Sequence, residues 1–119
     1  MKKPAAPSKP LGTADILAAE DRPLARVEIP EWGGHVYART MSAAERDAFA
    51  AACEGNAAAN IRARLACVTA VDKDGRRLFA DGDAEQLGAK SSKAVGRIFD
   101  AAAALNGLTD SDVEEISGN

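Results

Sequence analysis

Aromatic side chains are scarce in this chain, which has three Phe, one Trp and one Tyr. A core built on stacked rings is therefore excluded, and Leu, Ile, Val and small residues must fill it. Alanine is abundant and favours helix, so the composition leans the fold towards helices. The 119 residues are enough for one domain with a modest core. Charge of one sign is also lacking. The formal net charge is -3 with acids and bases interspersed, which argues against a nucleic-acid binder with its basic stripe. Long apolar runs are absent too. The Ala tracts near 50 and 102 fall far short of the roughly 20 residues a membrane span needs. The Met-Lys-Lys start has no apolar segment behind it, so no secretory signal is expected.

The elements of catalysis are just as sparse. His35 is the single histidine, and the two cysteines are Cys53 and Cys67. A nucleophile needs a base beside it, and His35 and Cys53 fall on different elements. A structural zinc site needs four ligands, usually paired at short spacing, and this set does not supply them. Buried packing is the favoured reading for a small Cys in an Ala-rich helix. Nothing requires a disulfide, and a reduced cytoplasmic protein is the simpler expectation. Asp72-x-Asp74-Gly75 and Asp81-x-Asp83-x-Glu85 resemble calcium loops only in outline. The Gly and the twelfth-position Glu that calcium requires are out of place in both. Gly33-Gly34 opens onto no helix and carries no phosphate-loop pattern. Asp110, Asp112, Glu114 and Glu115 read as the solvated, dipole-offsetting start of a terminal helix. No cofactor, metal or catalytic residue is expected.

What is present is local order. Residues 1–12 read as a flexible arm with Pro4, Pro7 and Pro10 at every third position. Residues 13–119 read as a single domain. Thr13 is placed to cap a short helix to Glu20, with Ile16 and Leu17 on its apolar side. Ala25, Val27 and Ile29 alternate with Leu24, Arg26 and Glu28, which is strand periodicity. Pro30 and Gly33-Gly34 then reverse the chain, and Val36 and Tyr37 resume a strand. Residues 24–40 therefore form a hairpin with an irregular turn carrying Trp32. Ser42-Ala-Ala-Glu45 is a capping box. It opens a helix to about Glu54 with Ala44, Ala48, Phe49 and Ala52 inward, and Gly55-Asn56 ends it. A second helix from about Ala58 carries the stripe Ile61, Leu65 and Val68. The β-branched residues of 68–71 alternatively suit a short strand.

Asp72-Lys-Asp-Gly75 is a tight turn. Asp83-Ala-Glu-Gln86 is a second capping-box pattern for a brief helix closed by Gly88. Ser91 or Ser92 caps the clearest helix, with Val95, Ile98, Phe99, Ala102 and Leu105 as its stripe and Gly107 beyond its end. Leu108 and Val113 flank Thr109 as a hydrophobic staple for a terminal helix containing Ile116. The expected fold is α+β and mostly helical: one β-hairpin packed with four to five helices. Ile98, Phe99, Leu65 and Phe49 are expected to be buried.

Trp32 either folds over the core as a lid or stands out as an anchor for a partner, and the residues leave both readings open. Several stretches together set a wider pattern. They are Val-Glu-Ile-Pro-Glu-Trp-Gly-Gly-His-Val-Tyr-Ala-Arg (27–39), Met-Ser-Ala-Ala-Glu-Arg-Asp-Ala-Phe (41–49), Asn-Ile-Arg-Ala-Arg-Leu (60–65), Val-Asp-Lys-Asp-Gly-Arg-Arg-Leu-Phe (71–79), Leu-Gly-Ala-Lys-Ser-Ser (87–92) and Leu-Asn-Gly-Leu-Thr (105–109). In order and spacing they resemble the tail assembly chaperones of long non-contractile-tailed bacteriophages and prophages, over residues 13–119.

The resemblance implies a non-enzymatic protein of the bacterial cytoplasm, absent from the mature virion. It would bind the tape measure protein, keep that long helical chain soluble, help recruit tail tube subunits, and self-associate. It implies no nucleic-acid or membrane partner. Such proteins often come in two lengths through a programmed frameshift, and a Ser-Gly-Asn ending is compatible with one. The candidate partner-binding residues are Trp32, Val36 and Tyr37 of the hairpin and Leu108, Val113 and Ile116 of the terminal segment. Two other readings compete. A head-tail connector or tail terminator would remain in purified particles. A small enzyme or regulator would use a pocket near His35, and His35→Ala would abolish its activity.

Overall fold

The computed structural model describes residues 8–53, 60–109 and 112. Helix α1 (Thr13–Ala18) precedes strands β1 (Leu24–Ile29) and β2 (Gly34–Arg39). Helices α2 (Ala43–Ala52) and α3 (Ile61–Thr69), strand β3 (Ala70–Val71), and helices α4 (Ala84–Gly88) and α5 (Ser92–Leu105) follow. The fold is α+β and mostly helical. The three strands form one antiparallel sheet in the order β1-β2-β3, so the hairpin gains a third strand. Short β3 is the strand alternative for residues 68–71, begun two residues later, where α3 ends.

The hairpin follows its alternation. Val27 and Ile29 are buried while Arg26 and Glu28 are exposed. Register pairs Val27 with Val36 and Ala25 with Ala38 on the inner face, and Arg26 with Tyr37 and Glu28 with His35 on the outer one. A 3-10 turn over Pro30–Trp32 joins the strands. Gly33 closes it at φ 73°, a left-handed conformation that a side chain would strain. The tip is tied down at long range: the Arg97 guanidinium of α5 donates to both Glu31 carboxylate oxygens, at 2.8 and 2.9 Å.

The inner face of the sheet packs on α5 and α3, and α3 packs on α5. One core cluster joins Val27, Ile29, Ala38, Ala66, Cys67, Ala70, Val95 and Ile98. A second joins Met41, Phe49, Cys53, Leu65 and Ala102. Leu65, Ile98 and Phe49 are buried as their spacing predicts. Phe99 departs from expectation. It is half-buried at the edge of the second cluster, with the Arg62 guanidinium 5.6 Å from its ring centroid. Ile98 holds the central position on α5 and turns the next residue outwards.

Helix α3 carries its expected stripe and a second buried face. Leu65 is buried with Ile61 and Val68 half-buried against the same cluster, and Ala63, Ala66, Cys67 and Thr69 are buried as well. The helix lies between the two clusters, so a single face cannot describe it. The buried Thr69 hydroxyl donates to the Leu65 carbonyl at 2.7 Å.

The helix ends show how the sequence stops each element. Ser42 Oγ accepts the Glu45 N–H at 3.1 Å and Glu45 Oε1 accepts the Ser42 N–H at 2.8 Å, completing the expected box on α2. Ser91 Oγ accepts the Ala94 N–H at the start of α5. Asp83 does not cap α4. Its carboxylate accepts the Ala80 N–H at 2.8 Å, because a 3-10 turn over Asp81–Asp83 comes first. Thr13 lies inside α1, and Gly12 holds the cap position.

At the end of α5, Gly107 takes φ 64° and a Schellman motif forms: the Leu108 N–H reaches Ala103 O at 2.8 Å and the Gly107 N–H reaches Ala104 O at 3.3 Å. Asn106 then links helices. Its Nδ2 donates to Ala102 O and its Oδ1 accepts the Met41 N–H, both at 2.8 Å. Thr109 and Asp112 exchange cap hydrogen bonds as a terminal helix start requires, whereas Val113 and Ile116 lie outside the described residues, as do the expected stop at Gly55-Asn56 and the start at Ala58.

Two outcomes follow from this packing. Ile98 is fully buried, so Ile98→Ala should cost about 2–5 kcal/mol in urea unfolding. Glu31 has its carboxyl lowered from 4.5 to about 2, first by the hydrogen bond from Arg97. A lowered carboxyl stabilises the fold while ionised, fully so above the ordinary carboxylate range. That contribution is lost as pH falls from about 4.5 towards about 2. Wild type should therefore lose more thermal stability across that window than Glu31→Gln, with Trp32 fluorescence reporting on the tip; equal losses would show that the Arg97 tie carries none of the acid sensitivity.

Candidate functional site: an open groove between two helices

The α2 sequence places Ala44, Ala48, Phe49 and Ala52 at helical spacing, and all four are expected to face the core. The structure corrects this. Phe49 is buried, but Ala44, Ala48 and Ala52 are exposed. The reason is geometric. Phe49 is long enough to reach the second cluster, whereas the alanine methyls beside it are too short to do so.

Between α2 and α3 lies a groove with a cavity of about 120 Å3, lined by Ala48, Phe49 and Ala52 from α2 and by Arg64, Cys67 and Val68 from α3. Glu45, Arg77 and Asp81 complete its rim. Ala48 and Ala52, four apart, form a smooth apolar ridge. Such a surface allows a second helix to come close.

The polar groups around the groove are already engaged. Glu45 serves the α2 cap and also pairs with Arg22. Arg77 donates twice to the Cys67 carbonyl, at 3.0 and 2.7 Å, and once to Asp81 at 2.8 Å. Arg77 thus satisfies a carbonyl of the last turn of α3, where a cation suits the helix dipole. Cys67 and Cys53 are free and buried, and burial pushes both thiols up, away from the reactive thiolate. The groove can bind apolar surface; its carboxylates and guanidinium groups are held in structural bonds.

The residues singled out from sequence do not converge. Trp32 stands on the hairpin tip, 40% exposed and in neither core cluster. Val36 points to the inner face and packs on the first cluster. Tyr37 lies on the opposite face, half-buried and edge-on to His35 with ring centroids 5.5 Å apart. Leu108 packs half-buried on the second cluster beside Met41 and Ala102. The hairpin trio is thus split between tip, inner face and outer face. Ile16 and Leu17, the expected apolar side of α1, are exposed, and that helix has no buried residue.

The groove itself went unread because alanine suits a buried and an open helix face equally. The one signal was quantitative: a stripe of three alanines and a single Phe offers little apolar area to hold a helix down. Among the described residues, no group of three or more His, Cys, Asp or Glu is arranged to hold a metal ion, and no helix is long and apolar enough to cross a membrane. Compared with known protein families, characterised proteins and solved structures, the chain shows no match.

Proposed function

We propose that this protein is a non-enzymatic phage tail assembly chaperone. It binds the tape measure protein, keeps that long helical chain soluble in the host cytoplasm, and helps recruit tail tube subunits before leaving the assembled tail. Self-association belongs to the same proposal. The observation that supports it most is the uncovered Ala48–Ala52 ridge facing Val68 across the groove. A protein that shields apolar helices needs such surface and no reacting groups. The resemblance of segments 27–39, 41–49, 60–65, 71–79, 87–92 and 105–109 to that family supports the identity of the client. Trp32 on the hairpin tip serves as a second contact.

The test is co-expression with a long helical tape measure chain, read as client solubility and co-elution. The client should stay soluble with wild type and precipitate without it. Ala48→Glu and Ala52→Glu set a carboxylate on the ridge, and a complex would have to bury it. Each should weaken co-elution about tenfold or more while leaving the circular dichroism of the free protein unchanged. Trp32→Ala should weaken it less, and His35→Ala should leave it intact. A client equally insoluble with and without the protein overturns the chaperone reading; co-elution unchanged by both glutamates moves the contact away from the groove.

A further inference from the structure

Strand β1 is an edge of the sheet: among the described residues it pairs with β2 alone. An exposed edge offers a row of free backbone donors and acceptors to another strand, and folded proteins usually blunt such edges with charged side chains or proline. Here the blunting is only partial. Pro23 and Pro30 bracket the strand and confine any further pairing to residues 24–29. Between them the two outward charges are opposite: Arg26 and Glu28, both exposed and paired with each other along the strand.

We infer that β1 is a two-fold self-association edge, at which β1 of a second copy pairs antiparallel and makes one six-stranded sheet. The charges select the register. Opposed residues in an antiparallel pair point to the same face, so the inner faces stay continuous only when the two-fold axis passes through a residue position. Centred on Arg26 or on Glu28, the axis opposes like charges. Centred on Ala25 or Ile29, it pairs only part of the strand. Centred on Val27, it sets each Arg26 opposite the second copy's Glu28 and forms two cross-strand ion pairs. The same register opposes Ala25 to Ile29 and Val27 to Val27 on the inner faces, and Leu24 to Pro30. Leu24, which is 39% exposed, then lies at the other copy's hairpin tip, where Trp32 is 40% exposed. Cross-strand pairs of opposite charge favour a sheet, and like charges directly opposed disfavour it.

This names the surface for the self-association in the proposed function and is argued from the edge strand; the client's main contact is assigned to the groove on α2 and α3, and Trp32 is shared between the two. The test is sedimentation of the full chain across a concentration series. Wild type should reach a dimer. Arg26→Glu sets carboxylate against carboxylate at both cross-strand pairs, and Glu28→Arg sets guanidinium against guanidinium at both. Each variant should therefore self-associate at least about tenfold more weakly. An equimolar mixture of the two variants restores opposite charges at both pairs and should give a heterodimer, with a shift in Trp32 emission as the tips are covered. That rescue also shows that both variants are folded. A wild type that stays monomeric throughout, a dimer unaffected by either variant, or variants whose mixture stays monomeric would each overturn the proposal. Co-elution of the client with the monomeric variants separates a failure here from a failure of the chaperone reading.

Discussion

Helix α3 can sit at the centre of this molecule because most of the side chains it buries are small. Ala63, Ala66 and Cys67 are buried on the side of the sheet and α5, while Leu65 is buried among Met41, Phe49 and Ala102. A helix covered this widely must have neighbours at close range, and alanine ridges permit that approach. The composition forces the arrangement: with five aromatic residues in 119, volume cannot be filled by large rings, so density must come from backbones packed closely. Such burial makes the end of the helix a problem, because its last carbonyls are removed from water. Arg77 solves it by donating twice to the Cys67 carbonyl. The chain then passes from α3 directly into β3, whose Ala70 pairs with Ala38 of β2. The sheet is thereby fixed to the helix without an intervening loop.

The rest of the scaffold hangs from that centre through specific polar ties. Asn106 joins the end of α5 to Met41 ahead of α2, and Arg97 joins the middle of α5 to Glu31 at the hairpin tip. Each bridges elements distant in sequence, where apolar contact alone would allow sliding. The Glu31 pair is partly exposed and bidentate, so its role is orientation more than stability. It holds the turn carrying Trp32 at a fixed place against α5.

What the sequence disclosed and what it withheld divide along a physical line. Strand alternation in β1, the Ser42–Glu45 box, the Ser91 cap and the Gly107 stop are local, and each is satisfied by residues within a few positions. They could be read directly. The Asp83 cap was misplaced because two competing acceptor geometries, a 3-10 turn and an α-helix, share the same residue. The α3 stripe of Ile61, Leu65 and Val68 meets the second cluster as its spacing predicts, but the stripe does not show that Ala63, Ala66 and Cys67 bury a second face, nor that Phe99 stops at the cluster's edge. The groove is hidden for a different reason: whether Ala48 and Ala52 are covered depends on how α2 packs on α3, a tertiary arrangement that no local pattern encodes.

That arrangement is also what makes the groove more than an imperfection of packing. α2 is fixed at its start by the capping box, by Arg22 on Glu45 and by the Arg46 hydrogen bond to the Asn106 carbonyl. It is fixed at its end by Phe49 and Cys53 in the second cluster. These contacts set where α2 lies, and in that position Ala48 and Ala52 are exposed. The apolar ridge is therefore held open by the same contacts that stabilise the fold. A partner helix of the proposed kind would find it already formed, with little ordering left to do on the α2 and α3 faces. Preorganisation of this kind raises affinity without adding contacts. It would suit the proposed role of holding a client and later releasing it, because binding would then depend on a shallow apolar contact and disturb none of the bonds that keep the scaffold folded.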